Sequence, residues 1–222
     1  MTASVLAKEF KTLSKEKWLK LDLLDENLFR WDIALMVLNP ESAYYGGYFK
    51  CTLSFPATYP YAPPDFRFIQ PLWHPNIYSD GRVCISILHA PGDDAMSGET
   101  AGERWNPAQT AYSVLISILT LLDDAEVASP ANVDASIQYR DDQPGFRDRV
   151  SQDVQRTKTQ IPRGFVYPTQ EDTKVKVDMA PADDDFWNDS EGEADFGDFD
   201  DDDDNGSGTS GDDNGSEDED LD

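Results

Sequence analysis

Two cysteines and two histidines are the residues of this 222-residue chain with the strongest potential for covalent or metal chemistry. Cys51 falls on the apolar side of an alternating stretch, Phe49–Phe55, which predicts a small buried side chain there. Cys84 lies eight residues after Asn76, in a stretch rich in Pro, Gly, Asn and Asp. A thiol on a loop can be reached by a partner, so Cys84 is the candidate nucleophile, with a structural cysteine as the alternative.

The other site chemistries find little support in the sequence. A Cys–His pair could use His74 or His89, but no third group is evident that would orient the imidazole. A zinc site would need both cysteines and both histidines, whose spacing lacks the paired ligands typical of such sites. The sequence also lacks a Gly-rich phosphate loop and a Gly-x-Ser-x-Gly turn. We therefore predict no metal, no bound cofactor and no use of ATP by the chain itself.

Hydrophobic periodicity predicts an α+β fold that must position these residues. Leu6, Phe10 and Leu13 recur at helical spacing, which predicts an amphipathic helix over 3–16. Four apolar or alternating stretches then predict an antiparallel meander, with strands over 18–24, 29–38, 46–55 and 66–69.

After the predicted strands, the stretch 71–106 is irregular apart from one apolar island, Val83–Leu88. Long irregular stretches inside a compact domain tend to be functional. Three predicted helices follow, with start signals at Asn106-Pro107, at Ser129-Pro130 (ending near Tyr139) and at Pro144 (ending near Lys158).

Charge divides the chain into two parts. Residues 1–165 carry 16 basic and 21 acidic side chains, whereas 166–222 carry 2 and 23, out of a net charge of −26. This balance excludes nucleic acid and anionic membranes as the main partners and favours a basic protein surface. The acidic part lacks the apolar residues of a core, so 166–222 is predicted to be a disordered tail. Neither a signal peptide nor a membrane span is evident, so we expect the cytoplasm and nucleus.

Several segments around Cys84 combine into a specific motif: His74-Pro75-Asn76-Ile77-Tyr78, Gly81-Arg82-Val83-Cys84-Ile85, Trp105-Asn106-Pro107 and Ser129-Pro130-Ala131-Asn132. Upstream, the segments 45–49, 55–56 and 59–64 fit the same pattern. In this combination the sequence resembles the ubiquitin-conjugating enzymes. The resemblance covers roughly residues 3–160 and does not extend to the tail, so we predict a catalytic domain over 1–165.

The resemblance implies a fold with an N-terminal helix, a four-stranded antiparallel meander and C-terminal helices. It also implies that Cys84 accepts the C-terminus of ubiquitin as a thioester from an ATP-using activating enzyme, and that a target lysine then attacks this thioester. Asn76 matches the family asparagine assigned to the tetrahedral oxyanion, and a loop-stabilising hydrogen bond is its alternative role. His74 and Pro75 match positions that fix the turn presenting Asn76.

Two departures from the family pattern indicate which members of the family the sequence resembles. An acidic insertion of about residues 90–102 follows Cys84, and with the acidic tail it resembles the cell-cycle members that serve cullin-RING ligases in protein degradation. Ser86 and Ser129, the latter at a gate position, stand where many members carry Asp. Glu103 near the insertion is therefore a candidate for activating the lysine. A solvated surface loop is the alternative interpretation of the insertion.

The resemblance further implies binding surfaces for partners. Residues matching the RING-contact surface are Tyr61, Pro63, Asn106, Pro107 and Ala108, and those matching the contact with the activating enzyme are Lys8 and Lys11. The expected partners are ubiquitin, the ubiquitin-activating enzyme and a cullin-based RING ligase. Two other functions stay open: a non-catalytic acidic binding or chaperone protein for basic partners, and a conjugator of a ubiquitin-like modifier.

Overall fold

The computed structural model describes residues 2–92 and 98–173, and residues 1–176 form one compact unit. Its elements follow the predicted order of one helix, four strands, an irregular stretch and three helices. They are α1 (Thr2–Leu13), β1 (Leu19–Leu23), β2 (Arg30–Met36), β3 (Tyr48–Ser54), β4 (Asp65–Phe68), α2 (Ala111–Asp123), α3 (Val133–Asp141) and α4 (Gln143–Lys158). The predicted α+β class is confirmed.

The four strands form a single antiparallel sheet in the order β1-β2-β3-β4, which confirms the predicted meander. Side chains alternate between the two faces of each strand, so Trp31, Ile33 and Leu35 of β2 lie together in the core. Cys51 is paired in register with Ile33 and Phe68 and is fully buried. This burial raises the pKa of the Cys51 thiol well above its usual range, as expected for an inert structural cysteine.

Two of the predicted helix starts are wrong, and the capping geometry gives the reason. The side chain of Thr110, not Asn106, caps α2, since its oxygen accepts from the Ser113 amide and the Ser113 hydroxyl accepts in return. Asn106 instead closes a separate turn, in which its side-chain oxygen accepts from the Ala108 amide at 3.0 Å. Likewise Asn132, three residues beyond Ser129, caps α3. The last helix, α4, has Pro144 in its first turn and ends at Lys158, as predicted.

The described chain continues past the predicted domain boundary at residue 165. Phe165 packs edge-on against Tyr48, and the Tyr167 hydroxyl donates to the Gly47 carbonyl at 2.8 Å. The first residues of the predicted tail are therefore joined to the folded domain, Tyr167 by this hydrogen bond and Asp172 by an ion pair with Lys17 at 3.7 Å. The remainder of the predicted disordered tail lies outside the described residues. Among the described helices, none combines the length and apolarity that a membrane span requires.

Candidate active site around Cys84

A tight hairpin holds Cys84 against the segment that precedes it. Ile77 and Val83 form an antiparallel bridge, and the Cys84 amide donates to the Asn76 carbonyl at 2.8 Å. Gly81 turns the hairpin with φ +88°, and a Cβ there would lie 2.0 Å from the Phe68 carbonyl oxygen. Only glycine fits this approach. The thiol of Cys84 is half-buried, in contrast to that of Cys51.

His74 is a fully buried structural support for this hairpin. Its Nδ1 accepts from the Asn76 amide at 2.9 Å, so the proton is on Nε2, which donates to the Leu121 carbonyl at 2.9 Å. Burial lowers the pKa of His74 to about 4, because the charged imidazolium loses its hydration. The neutral ring therefore ties the end of α2 to the turn before Cys84. Both of its nitrogens are engaged, so His74 cannot serve as a base for the thiol.

Asn76 connects the hairpin to the loop between α2 and α3. Its side chain is buried, with Oδ1 accepting from the Glu126 amide at 2.9 Å and Nδ2 donating to the Glu126 carbonyl at 2.8 Å. The far end of the same loop is tied by the Asn132 amide, which donates to the Pro75 carbonyl at 2.8 Å. The loop-stabilising role considered for Asn76 is therefore present. Ser129 is exposed between these two attachment points, on the loop that borders the site.

Glu99 brings the acidic insertion to the turn that carries Cys84. The residues that flank the insertion lie side by side, because the Trp105 amide donates to the His89 carbonyl at 3.1 Å. The Glu99 carboxylate accepts from the Ser86 hydroxyl and from His89 Nδ1, both at 2.8 Å, and lies 3.6 Å from Arg104 Nε. Burial opposes the charge of Glu99, but these hydrogen bonds and the positive charges hold its pKa below the usual range.

The predicted carboxylate, Glu103, has different contacts. It is exposed and accepts from the Thr100 amide at 2.8 Å and from the Thr100 hydroxyl at 2.9 Å, which keeps its pKa below the usual range. These contacts close its own turn. Of the two carboxylates, Glu99 is thus the one that the structure joins to the turn of Cys84. The positions of the two residues in the sequence gave no reason to prefer Glu99 to Glu103. Two further acids of the insertion, Asp93 and Asp94, lie outside the described residues.

Tyr78 also belongs to the site, although the sequence analysis quoted it only as part of the motif. The negative charge of Cys84 and a hydrogen bond with that thiol raise the pKa of Tyr78. The ring is held in place by Arg82, whose guanidinium carbon lies 5.2 Å from the ring centroid. Arg82 is in turn fixed by Asp80, with 2.8 Å between Nε and Oδ2. Within the described ranges, no group of three or more His, Cys, Asp or Glu side chains could hold a metal ion.

The predicted ligase-contact residues lie on two loops, and Pro60 and Pro107 of these loops line one groove together with α1. Tyr61 is 68% exposed, and its loop is held because Trp105 Nε1 donates to the Pro60 carbonyl at 2.7 Å. A groove of about 450 Å³ beside it is lined by Lys8, Pro60 and Pro107, among others. Glu9 joins the elements around the groove, since its carboxylate accepts from the Tyr59 hydroxyl and the Ala111 amide, both at 2.8 Å. Of the remaining predicted residues, Lys11 lies on α1 with Lys8. Pro63 lies on the loop of Tyr61, and Asn106 and Ala108 flank Pro107 before α2.

The geometry first defines a class of site. It consists of one accessible thiol on a rigid hairpin, a buried amide side chain beside it and a neutral histidine that is fully occupied by structural contacts. Such a thiol can carry an acyl group between partners, whereas a hydrolytic Cys–His pair would need a free imidazole nitrogen at the sulfur.

Comparison with known proteins identifies the family. The family model described as "Ubiquitin-conjugating enzyme" matches residues 5–154. The chain is 47% identical over 174 residues to the ubiquitin-conjugating enzyme E2-34 kDa of Saccharomyces cerevisiae, covering 75% of this chain and 59% of that protein. It is 43% identical over 160 residues to the ubiquitin-conjugating enzyme E2 14 of Arabidopsis thaliana, covering 71% of this chain and 95% of that protein. The chain therefore belongs to the ubiquitin-conjugating enzymes, a family of transferases.

Proposed function

We propose that this chain accepts ubiquitin as a thioester on Cys84 and transfers it to lysines of target proteins, or of ubiquitin itself, together with a cullin-RING ligase. The observation that carries the proposal is the half-buried Cys84 thiol, held beside the Asn76 amide by the hydrogen bond between their backbones. The other cysteine, Cys51, is fully buried on the core side of β3, so its thiol cannot reach a partner.

Charging of Cys84 is an exchange of one thioester for another. The Cys84 thiolate attacks the carbonyl carbon of ubiquitin's C-terminal thioester on the activating enzyme, and the bond from that carbon to the activating enzyme's sulfur breaks. The departing sulfur leaves as a thiolate, so the proton count is unchanged. ATP is consumed only upstream, when the activating enzyme makes its thioester, and this chain needs no bound cofactor.

Discharge transfers the acyl group to an amine. The neutral amine of a lysine attacks the thioester carbonyl carbon, and negative charge gathers on its oxygen. Collapse of this intermediate breaks the bond to sulfur and expels the Cys84 thiolate, which takes up, directly or through water, the proton that the amine releases. The Asn76 side chain has two N–H donors, of which one is directed at Glu126, and the other can serve the oxyanion. The contacts with Glu126 fix the amide before the reaction, so its alignment has little entropic cost.

The acidic insertion acts on the lysine step in this proposal. Glu99 holds the insertion against Ser86, two residues beyond the nucleophile, and its oxygens are occupied by Ser86, His89 and Arg104. Glu99 is therefore a positioning residue that sets the path of the insertion, and it does not itself remove a proton. Through this contact the Glu99 carboxylate stays beside the turn that carries Cys84, close to where an amine must approach.

The choice of a cullin-based ligase, working in the cytoplasm and nucleus, is supported by charge. The chain has a net charge of −26, concentrated after residue 165. Such a charge accelerates the encounter with a basic groove on a ligase scaffold. A tail that stays bound also raises the effective concentration of the catalytic domain at the RING surface.

A charging assay tests the proposal against its alternatives. The chain is incubated with activating enzyme, ATP and either ubiquitin or a ubiquitin-like modifier, and the products are separated with and without reductant. We expect a reductant-sensitive adduct with ubiquitin, lost in Cys84→Ala and retained in Cys51→Ala. An adduct with a ubiquitin-like modifier alone would favour that alternative. No adduct, together with binding to basic proteins, would favour the acidic chaperone.

A further inference from the structure

A groove of about 530 Å³ lies between α4 and the segment that leads into the Cys84 hairpin. Arg149, Asp153 and Arg156 of α4 line it, together with Leu72, Trp73 and Tyr78. We call this feature the α4 groove. It is separate from the groove beside α1, and the proposed charging and discharge steps make no use of it.

Arg149 presents a fixed cation at the α4 groove. Its guanidinium carbon lies 4.9 Å from the centroid of the Trp73 ring, and the side chain is exposed. Trp73 is itself immobilised, since its Nε1 donates to Gln138 Oε1 and its amide donates to Asp153 Oδ2, both at 2.8 Å. Asp153 is paired with Arg156 at 2.7 Å, and among the described residues no carboxylate pairs with Arg149. A stacked guanidinium keeps its N–H edge free for a carboxylate.

The α4 groove is continuous with the active site through Tyr78. This residue lines the groove and also belongs to the hairpin of Cys84, where its amide donates to the Arg82 carbonyl at 2.9 Å. A polypeptide whose lysine reaches the thioester on this side of Cys84 would therefore place its neighbouring residues in the groove. The lining suits such a segment, since the half-buried Trp73 ring offers apolar surface beside Arg149.

We infer that the α4 groove binds the acceptor polypeptide beside its lysine, and that Arg149 selects an acidic side chain in that segment. The inference deepens the proposed function and rests on it. Charge complementarity supports an acidic occupant. The chain as a whole is strongly negative and repels acidic acceptors, whereas the groove offers them one cation, Arg149, that no carboxylate of the described residues pairs, beside the Arg156–Asp153 pair. Arg149 thus acts as a specificity residue for the lysine step.

The test measures transfer from the isolated Cys84 thioester of the full chain to synthetic peptides. Each peptide carries one lysine, and the members of a pair differ only by Glu or Gln at a position near that lysine. For wild type we expect a kcat/KM about tenfold higher for the best-placed Glu peptide, mostly through KM, as for one charge-assisted hydrogen bond. Arg149→Ala should abolish the preference. Arg147→Ala, which removes an exposed arginine elsewhere on α4, should retain it.

Charge reversal gives a readout that an unfolded variant cannot produce. Arg149→Glu should invert the selection, so that a peptide with Lys in place of Glu becomes the better acceptor. Equal rates for Glu and Gln peptides in wild type, or an unchanged preference in Arg149→Ala, would overturn the inference. Failure to form any thioester on Cys84 is a different outcome, because it would overturn the proposed function before the peptides are added.

Discussion

Acidification should destabilise the fold through His74, whose buried ring supports the active-site hairpin. The folded protein holds the His74 pKa at about 4, whereas an unfolded chain has a value near 6.5. Since the folded-state pKa is the lower one, the contribution of the neutral ring is fully present above the unfolded pKa. It is lost as the pH falls from about 6.5 through about 4, because the unfolded state takes up the proton first.

The size of this effect follows from the two pKa values. A difference of about 2.5 units corresponds to about 3 kcal/mol in the free energy of unfolding, at 1.36 kcal/mol per unit. About 2 kcal/mol of this should disappear between pH 7 and pH 5, and the rest by about pH 4. The value is not reduced by solvent screening, because the ring is fully buried.

Urea unfolding of His89→Gln at several pH values measures the effect, since His74 is then the only histidine. We expect the free energy of unfolding to fall steadily below pH 6.5. In the folded protein the ring protons of His74, followed by nuclear magnetic resonance, should keep one chemical shift down to about pH 5. A flat stability profile between pH 7 and pH 5, or a folded-state titration near pH 6.5, would refute the reasoning.

Three further predictions concern the partners and the insertion. Glu99→Gln should slow lysine attack on the Cys84 thioester about tenfold, because it weakens the hydrogen bonds to Ser86 and His89, while Glu103→Gln should have a much smaller effect; single-turnover discharge of the two variants compares them directly. Tyr61→Ala should lower ligase-stimulated discharge far more than unstimulated discharge, and equal losses would place Tyr61 in the fold rather than in the ligase contact. Truncation after Lys176 should lower the association rate with a cullin-RING ligase steeply at low salt, and the rates of the intact and truncated proteins should become equal at high salt. Stopped-flow association rates that change neither with truncation nor with salt would indicate that the tail only keeps the protein soluble.

The fold was predictable because its signals are local. Alternating residues fixed the strands and the burial of Cys51, and Pro144 marked the start of α4. The helix starts failed where several capping residues stood close together. Asn106 and Ser129 are good caps in isolation, but Thr110 and Asn132 are the residues whose side chains reach the free amides of α2 and α3.

The site was only partly predictable, because its remaining contacts join residues far apart in the sequence. Cys84 and Asn76 could be named from the motif, and the pairing of Asn76 with Glu126 spans 50 residues. Glu99 and Glu103 look equivalent in the sequence. The difference between them arises from how the insertion folds back, since this places Glu99 against Ser86 and turns Glu103 toward Thr100.

The central claim, that Cys84 carries ubiquitin to lysine, is tested most directly by a pulse and chase with an isolated thioester. The chain is charged with ubiquitin, the activating enzyme and ATP are removed, and free lysine is added while the intact mass of each species is followed. We predict that ubiquitin is attached to Cys84 as a reductant-sensitive adduct and then moves to lysine as a reductant-resistant amide. An adduct on any other residue, or a Cys84 thioester that only hydrolyses in the presence of lysine, would contradict the account.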